Sequence, residues 1–125
     1  MQRTTREAVW ERARGRCEIT GLPLDPERWE CHHRRNKGMG GTDRANVDNL
    51  SNLLALTPAI HNGGRYSVHG NRPWAERHGY LIPKRVAEPG MWPVTLRGVH
   101  RVLLGDDGRY YPLPAGFPIM QGPGK

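Results

Sequence analysis

Two short stretches of the chain carry the hydrophobic pattern of β-strands. Across residues 28–33 apolar and polar side chains alternate, which predicts a strand with Glu30 and His32 on the same face. Residues 53–56 are continuously apolar, and a run of this length between polar segments is typical of a short, buried strand. We therefore expect two strands separated by a polar, glycine-containing segment.

A helix is indicated at the start of the chain. Thr4 and Glu7 have the spacing of a capping box, in which each side chain can bond the other residue's backbone amide. They predict a helix over roughly residues 5–14, and Gly15 is suited to end it in a left-handed cap. We interpret the arginines on and beside this helix as a solvated face, with phosphate contact as the alternative. They are Arg3, Arg6, Arg12, Arg14 and Arg16.

Two further helices are indicated by their first residues. Thr57 followed by Pro58 is a common start of a helix, with threonine as the N-cap and proline in the first turn. Asn71 begins another short helix, over residues 74–78, and Gly79 closes it.

The last third of the chain predicts a hairpin and otherwise loop. Residues 99–104 and 109–111 flank a turn segment of glycine and aspartate, residues 105–108, which is the pattern of a β-hairpin. The remainder from residue 86 onward is rich in proline and glycine. Together the elements predict a small, loop-rich α+β fold.

Composition limits the size of the core and the class of partner. The 125 residues fit one domain, but a hydrophobic fraction of 36% with 16 glycines and 11 prolines predicts a small core. The net charge of +7 favours a nucleic-acid partner, although basic domains also bind membranes and acidic proteins. Cys17 and Cys31 are too few for a disulfide framework and form no Cys-x-x-Cys pair. No apolar signal segment or membrane span is evident, so we expect a cytoplasmic protein without a membrane partner.

The adjacent histidines His32 and His33 are the main candidates for chemistry. Neighbouring residues of a strand point to opposite faces, so the two imidazoles cannot easily bind the same ion. We expect one to bind a metal and the other to act as a base, and the geometry leaves open which does which. Hydrolysis of a phosphodiester needs a deprotonated water, and a histidine with a pKa near ~6.5 suits that task at neutral pH. A divalent ion can neutralise the charge that develops on the phosphoryl oxygens.

A basic, glycine-rich segment follows the histidine pair. Its cations and backbone amides suit a phosphate backbone, whereas the alternative is a disordered surface loop. We assign four residues as nucleic-acid contacts, three in this segment and one beyond the second strand: Arg34, Arg35, Lys37 and Arg65.

The arrangement of these motifs resembles the HNH endonuclease family. The matching residues are the pair His32-His33, the glycines that follow it, Asn52 with leucines one and four residues on, and His61 nine residues after Asn52. The resemblance implies a ββα-metal fold, in which two strands and a helix surround one divalent ion.

The resemblance covers about residues 17–83, which we take as the nuclease core of a single domain. Residues 86–120 would form a C-terminal extension that carries the hairpin. Segments 68–73 and 79–83 look like the end of small, phage-borne members of the family.

The family's site residues carry over by position. The resemblance implies that His32 and His61 bind the metal, that His33 is the general base, and that Asn52 constrains the loop and orients the base. Some members have a further helix histidine, commonly four residues on. Here His69 is eight residues beyond His61, which leaves its role as a ligand open.

These roles imply a metal-dependent endonuclease that hydrolyses DNA, with the ion stabilising the leaving group. Nitrogen ligands fit zinc, nickel or manganese better than magnesium, although a site with two protein ligands and several waters tolerates many ions. Phage DNA-processing or packaging proteins would be its partners, in the cytoplasm of a host cell. The rival interpretations are a non-catalytic nucleic-acid-binding module of the same fold and a small structural zinc module.

Overall fold

The computed structural model describes residues 4–35 and 48–115. Helix α1 is formed by Thr5–Ala13, and the predicted capping box is confirmed. The Thr4 hydroxyl accepts from the Glu7 amide at 3.1 Å, and the Thr4 amide donates to the Glu7 carboxylate at 2.9 Å. The helix ends at Arg14, which has a left-handed φ of 57°, and Gly15 follows with a φ of 71°.

The two predicted strands are confirmed. Strand β1, Glu30–His33, pairs antiparallel with strand β2, Leu53–Leu56, and the register places His32 opposite Leu54. A single 3-10 turn, Leu50–Asn52, leads into β2. All four residues of β2 are buried, as a continuously apolar strand requires.

The next two helices are short and are capped as their sequences predict. Helix α2, Pro58–Asn62, begins after the Thr57 hydroxyl, which accepts from the Ile60 amide. Helix α3, Arg72–Arg77, begins after Asn71 and is followed by Gly79, which has a φ of +81°. A Cβ atom at Gly79 would lie 1.9 Å from the Pro93 carbonyl oxygen, so both backbone angle and space require glycine.

A three-stranded sheet forms the C-terminal part, in the order β3-β4-β5. Its strands are β3, Val94–Leu96, β4, His100–Leu104, and β5, Tyr110–Pro112. The predicted hairpin is confirmed, with Leu104 opposite Tyr110. Strand β3 was not predicted, because three residues are too few to establish an alternating pattern.

The core lies where α1 and β2 meet the C-terminal sheet. A buried ion pair crosses it, since the Arg12 guanidinium binds both carboxylate oxygens of Glu18 at 2.8 and 2.9 Å. The same carboxylate accepts from the Ala55 amide at 2.8 Å and from the Tyr110 hydroxyl at 2.5 Å. The buried apolar residues include Val9, Ala13, Leu54, Leu56, Val94 and Leu104.

Over the described residues the fold is therefore a small α+β arrangement with two antiparallel sheets, which confirms the predicted α+β class. Among residues 4–35 and 48–115, no helix has the length and apolar character that crossing a bilayer requires.

Candidate metal centre

Three histidines from separate elements direct ring nitrogens to one point. His32 comes from β1, His61 from α2, and His69 from the turn that follows α2. The Nδ1 atom of His32 lies 3.1 Å from Nε2 of His61, which lies 3.2 Å from Nε2 of His69. All three candidate ligand atoms fall within 4.8 Å of one another. The structure thus brings together the two ligands expected from the sequence and the third that the sequence left open.

Contacts on the far side of two rings fix which nitrogen faces this point. The Nε2 atom of His32 lies 2.6 Å from the Tyr80 carbonyl oxygen, which can only accept, so Nε2 carries the proton. The Nδ1 atom of His61 lies 2.6 Å from the Glu30 carboxylate and donates in the same way. In the neutral form, both rings therefore present lone pairs to the shared point. A carbonyl or carboxylate behind a ligating histidine is the usual support of a metal site.

These lone pairs are placed so that they could hold one metal ion between them. Two unprotonated nitrogens 3.1 Å apart cannot form a hydrogen bond, and their mutual approach is repulsive unless a positive charge lies nearby. In a tetrahedral site with metal–nitrogen bonds of 2.0–2.1 Å, neighbouring nitrogens are about 3.3 Å apart, close to the observed spacings. Burial lowers the pKa of His32 to about 3, and partial burial lowers that of His69, so both rings favour the neutral form that binds metals.

The turn after α2 explains how His69 reaches the site from eight residues away. Beyond Gly63 the chain folds back, and the Val68 amide donates to the Ile60 carbonyl at 2.8 Å, while the His69 amide donates to the His61 carbonyl at 3.2 Å. These bonds attach the returning segment to the end of α2. The glycine pair Gly63-Gly64 is the signal in the sequence, since it interrupts the helix but does not show whether the helix resumes or the chain turns.

The second histidine of the pair lies in different surroundings. His33 is half-buried, and its Nε2 atom lies 2.8 Å from the Asp48 carboxylate, which accepts a hydrogen bond from the N–H at that position. The lone pair of the His33 ring is then on Nδ1. His33 takes no part in the three-histidine cluster, in agreement with the alternation of side chains along β1.

Asn52 joins the end of β1 to the start of β2. Its side-chain oxygen accepts from the Arg35 amide at 3.0 Å, and its side-chain NH₂ donates to the Arg35 carbonyl at 3.0 Å. The Asn52 carbonyl also accepts from the Arg34 amide at 2.7 Å. This buried side chain therefore fixes the point at which the chain leaves β1.

The expectation that Arg34 contacts phosphate is wrong. Its side chain is buried, and its guanidinium donates to four backbone carbonyls at 2.7 to 3.2 Å, which belong to Ser51, Gly79, Pro89 and Trp92. Burial lowers the pKa of Arg34 to about 9, so the group stays charged at neutral pH. The side chain thus joins the end of β1 to three later segments, and each of its three nitrogens donates to a backbone carbonyl.

Arg35 is likewise turned inward, so its assignment as a phosphate contact is also wrong. The residue is buried and its guanidinium donates to the Val86 and Ala87 carbonyls. Arg65 is exposed beside Tyr66, on the segment that leads to His69, and its assignment stays a prediction. Lys37 lies outside the described residues.

Three supporting groups were missed from the sequence. Glu30 could have been found, because the alternation in β1 places it on the same face as His32. The Tyr80 carbonyl carries no sequence signal, since any residue supplies a carbonyl. Asp48 lies in a polar segment whose pattern does not distinguish it from neighbouring polar residues.

Comparisons of the chain with protein-family models, with curated proteins and with solved structures find no match. Assignment to the HNH family therefore stays a prediction that depends on the motifs of the sequence. The arrangement of histidines stands independently of it, as a candidate site for one metal ion.

Proposed function

We propose that the chain is a metal-dependent HNH endonuclease that hydrolyses DNA phosphodiester bonds. The observation that carries the proposal is the convergence of three imidazole nitrogens, supplied by β1, α2 and the turn after it, beside a further histidine on β1. The order of two antiparallel strands followed by a helix agrees with the ββα-metal core that the sequence resembles. The net charge of +7 suits a polyanionic substrate.

In this proposal His32, His61 and His69 hold the ion. When bound, a divalent ion supplies Lewis-acid stabilisation of the scissile phosphate and its leaving 3′ oxygen. Glu30 and the Tyr80 carbonyl keep two of the rings in the tautomer that binds metal. Three neutral nitrogen ligands favour zinc, nickel or manganese over magnesium, which prefers oxygen.

His33 is the general base of the proposal. Its Nδ1 lone pair accepts a proton from the attacking water, while Asp48 accepts from Nε2 and stabilises the resulting imidazolium. Asn52 holds the backbone of Arg35 in place and so fixes the end of the strand that carries His33. Phosphate contact by Arg65 remains part of the proposal, whereas the buried Arg34 and Arg35 contribute to the framework.

Cleavage of supercoiled plasmid DNA with a panel of divalent ions tests the proposal. The native chain is compared with His33→Ala, and metal binding by both proteins is measured in parallel by calorimetry. We expect the native protein to cut with at least one transition metal. The variant should bind the same metal with unchanged stoichiometry but cut at least about 100-fold more slowly, since a lost general base typically costs that much.

The paired measurements separate the alternatives. Equal cleavage by the native protein and His33→Ala contradicts the assignment of the base. DNA binding without cleavage by the native protein, under every ion tested, contradicts the endonuclease proposal and favours the non-catalytic binding module.

A further inference from the structure

A groove with basic walls lies between the end of α1 and the C-terminal sheet, and no residue of the histidine cluster lines it. Its volume is about 590 Å³, within the range of sites that hold small ligands. Three exposed arginines line it: Arg14 after α1, Arg97 between β3 and β4, and Arg109 at the start of β5.

The other charged groups of the groove leave this positive charge in excess. Arg12 also lines the groove, but Glu18 neutralises it through the buried ion pair. Among the lining residues that the structure describes, Glu11 is the one carboxylate, against three exposed arginines. His100 adds an exposed imidazole on the sheet side.

Two of these arginines occupy backbone positions that normally favour other residues. Arg14 and Arg97 have φ angles of 57° and 52°, and they are the non-glycine residues with positive φ in the described part of the chain. Each is followed by a glycine that also has positive φ, Gly15 and Gly98. At a helix end glycine or asparagine is the usual residue in this conformation, and in a tight hairpin turn Asn-Gly is the usual pair.

Arginine is therefore an uncommon residue for the backbone conformation at both positions. Non-glycine residues held in sparsely populated backbone regions cluster at active sites and ligand-binding sites. Here the two Arg-Gly turns come from distant parts of the sequence and line the same groove. Guanidinium groups form paired hydrogen bonds with phosphate oxygens, so a phosphate chain matches what the groove offers.

We infer that this groove binds the phosphate backbone of DNA, as a second contact surface in addition to the histidine site. The choice of DNA over an acidic protein rests on the proposed function. Arg14 and Arg97 would contact phosphates directly, with Arg109 on the sheet side of the same groove. The surface would add affinity without reading the base sequence, since phosphate contacts position a protein but do not specify bases.

Asparagine substitutions make a test that spares the fold. Asparagine tolerates positive φ better than arginine, so Arg14→Asn with Arg97→Asn removes two charges without new strain. A matched control removes two exposed charges outside the groove, Arg28→Gln with Lys84→Gln. Affinity for a short fluorescent DNA duplex is measured by anisotropy at several salt concentrations, with a chelator present to prevent cleavage.

We expect the groove variant to bind about tenfold or more weakly than the native protein at low salt. Its plot of log affinity against log salt should be shallower by about two, because each lost phosphate contact lowers the slope by about one. The control should change both quantities by less than half as much. Equal losses in groove and control variants, or no loss in either, overturn the inference.

The outcome is independent of whether the protein cleaves DNA. If the native protein cuts plasmid but the groove variant binds as well as the control, the groove assignment fails and the endonuclease proposal stands. If no ion supports cleavage but the groove variant alone loses affinity, the endonuclease proposal fails and the groove stands.

Discussion

The Arg34→Met variant should unfold at a much lower denaturant concentration than the native protein. The guanidinium of this buried residue donates to four carbonyl oxygens, of Ser51, Gly79, Pro89 and Trp92. Methionine fills much of the same volume but donates nothing. The substitution therefore leaves four acceptors without their charged partner while changing the packing little.

The size of the effect follows from these four bonds. Charge-assisted hydrogen bonds contribute about 1.5–3 kcal/mol each, which sets an upper bound of about 6–12 kcal/mol. Part of this is offset, because the variant no longer has to desolvate a guanidinium on folding. A buried acceptor left without its donor costs about 1–3 kcal/mol, and after this offset we expect a total loss of about 3–5 kcal/mol for Arg34→Met.

Urea unfolding followed by the fluorescence of the four tryptophans measures the loss. With a slope of about 2 kcal/mol per molar urea, the midpoint should fall by about 1.5–2.5 M. Arg28→Met, at an exposed arginine, is the matched control and should stay within about 0.5 kcal/mol of the native protein. If Arg34→Met is as stable as this control but binds DNA more weakly, the framework role is refuted and phosphate contact is restored.

The remaining predictions concern the metal centre and the chain reversal after α3. Glu30→Gln should weaken zinc binding about 10- to 100-fold in a competition titration, because the amide no longer enforces the His61 tautomer; unchanged affinity contradicts that role. Gly79→Ala should destabilise the protein by about 3 kcal/mol or more in thermal unfolding. Gly98 also has a φ of +81°, but a Cβ atom there would meet no atom within 4 Å, so Gly98→Ala is the control for the backbone angle. Equal losses of stability in the two variants would show that contact with Pro93 is unimportant.

Local signals in the sequence predicted most of the elements correctly. The capping box of Thr4 and the N-caps at Thr57 and Asn71 are bonds between residues close in sequence, so their patterns are visible without the fold. The strand of residues 30–33 was indicated by alternation alone, and so was the separation of His32 from His33.

What could not be predicted depends on contacts between distant residues. We assigned Arg34 and Arg35 as phosphate contacts because arginines that follow a histidine pair in the sequence suggest an exposed basic surface. Nothing local shows that backbone carbonyls from residues 79 to 92 surround them. The role of His69 was left open for a related reason, because helical spacing does not describe a chain that turns back on itself.

The buried polar groups of the first half of the chain are completed by the second half. Glu18 needs the hydroxyl of Tyr110, and Arg34 needs two carbonyls that follow residue 88. The histidine site is therefore not a cassette that can be cut out as residues 17–83 and transplanted into another protein. Such a fragment would carry a carboxylate and a guanidinium that had lost several of their hydrogen-bond partners, and water would enter where those partners had been.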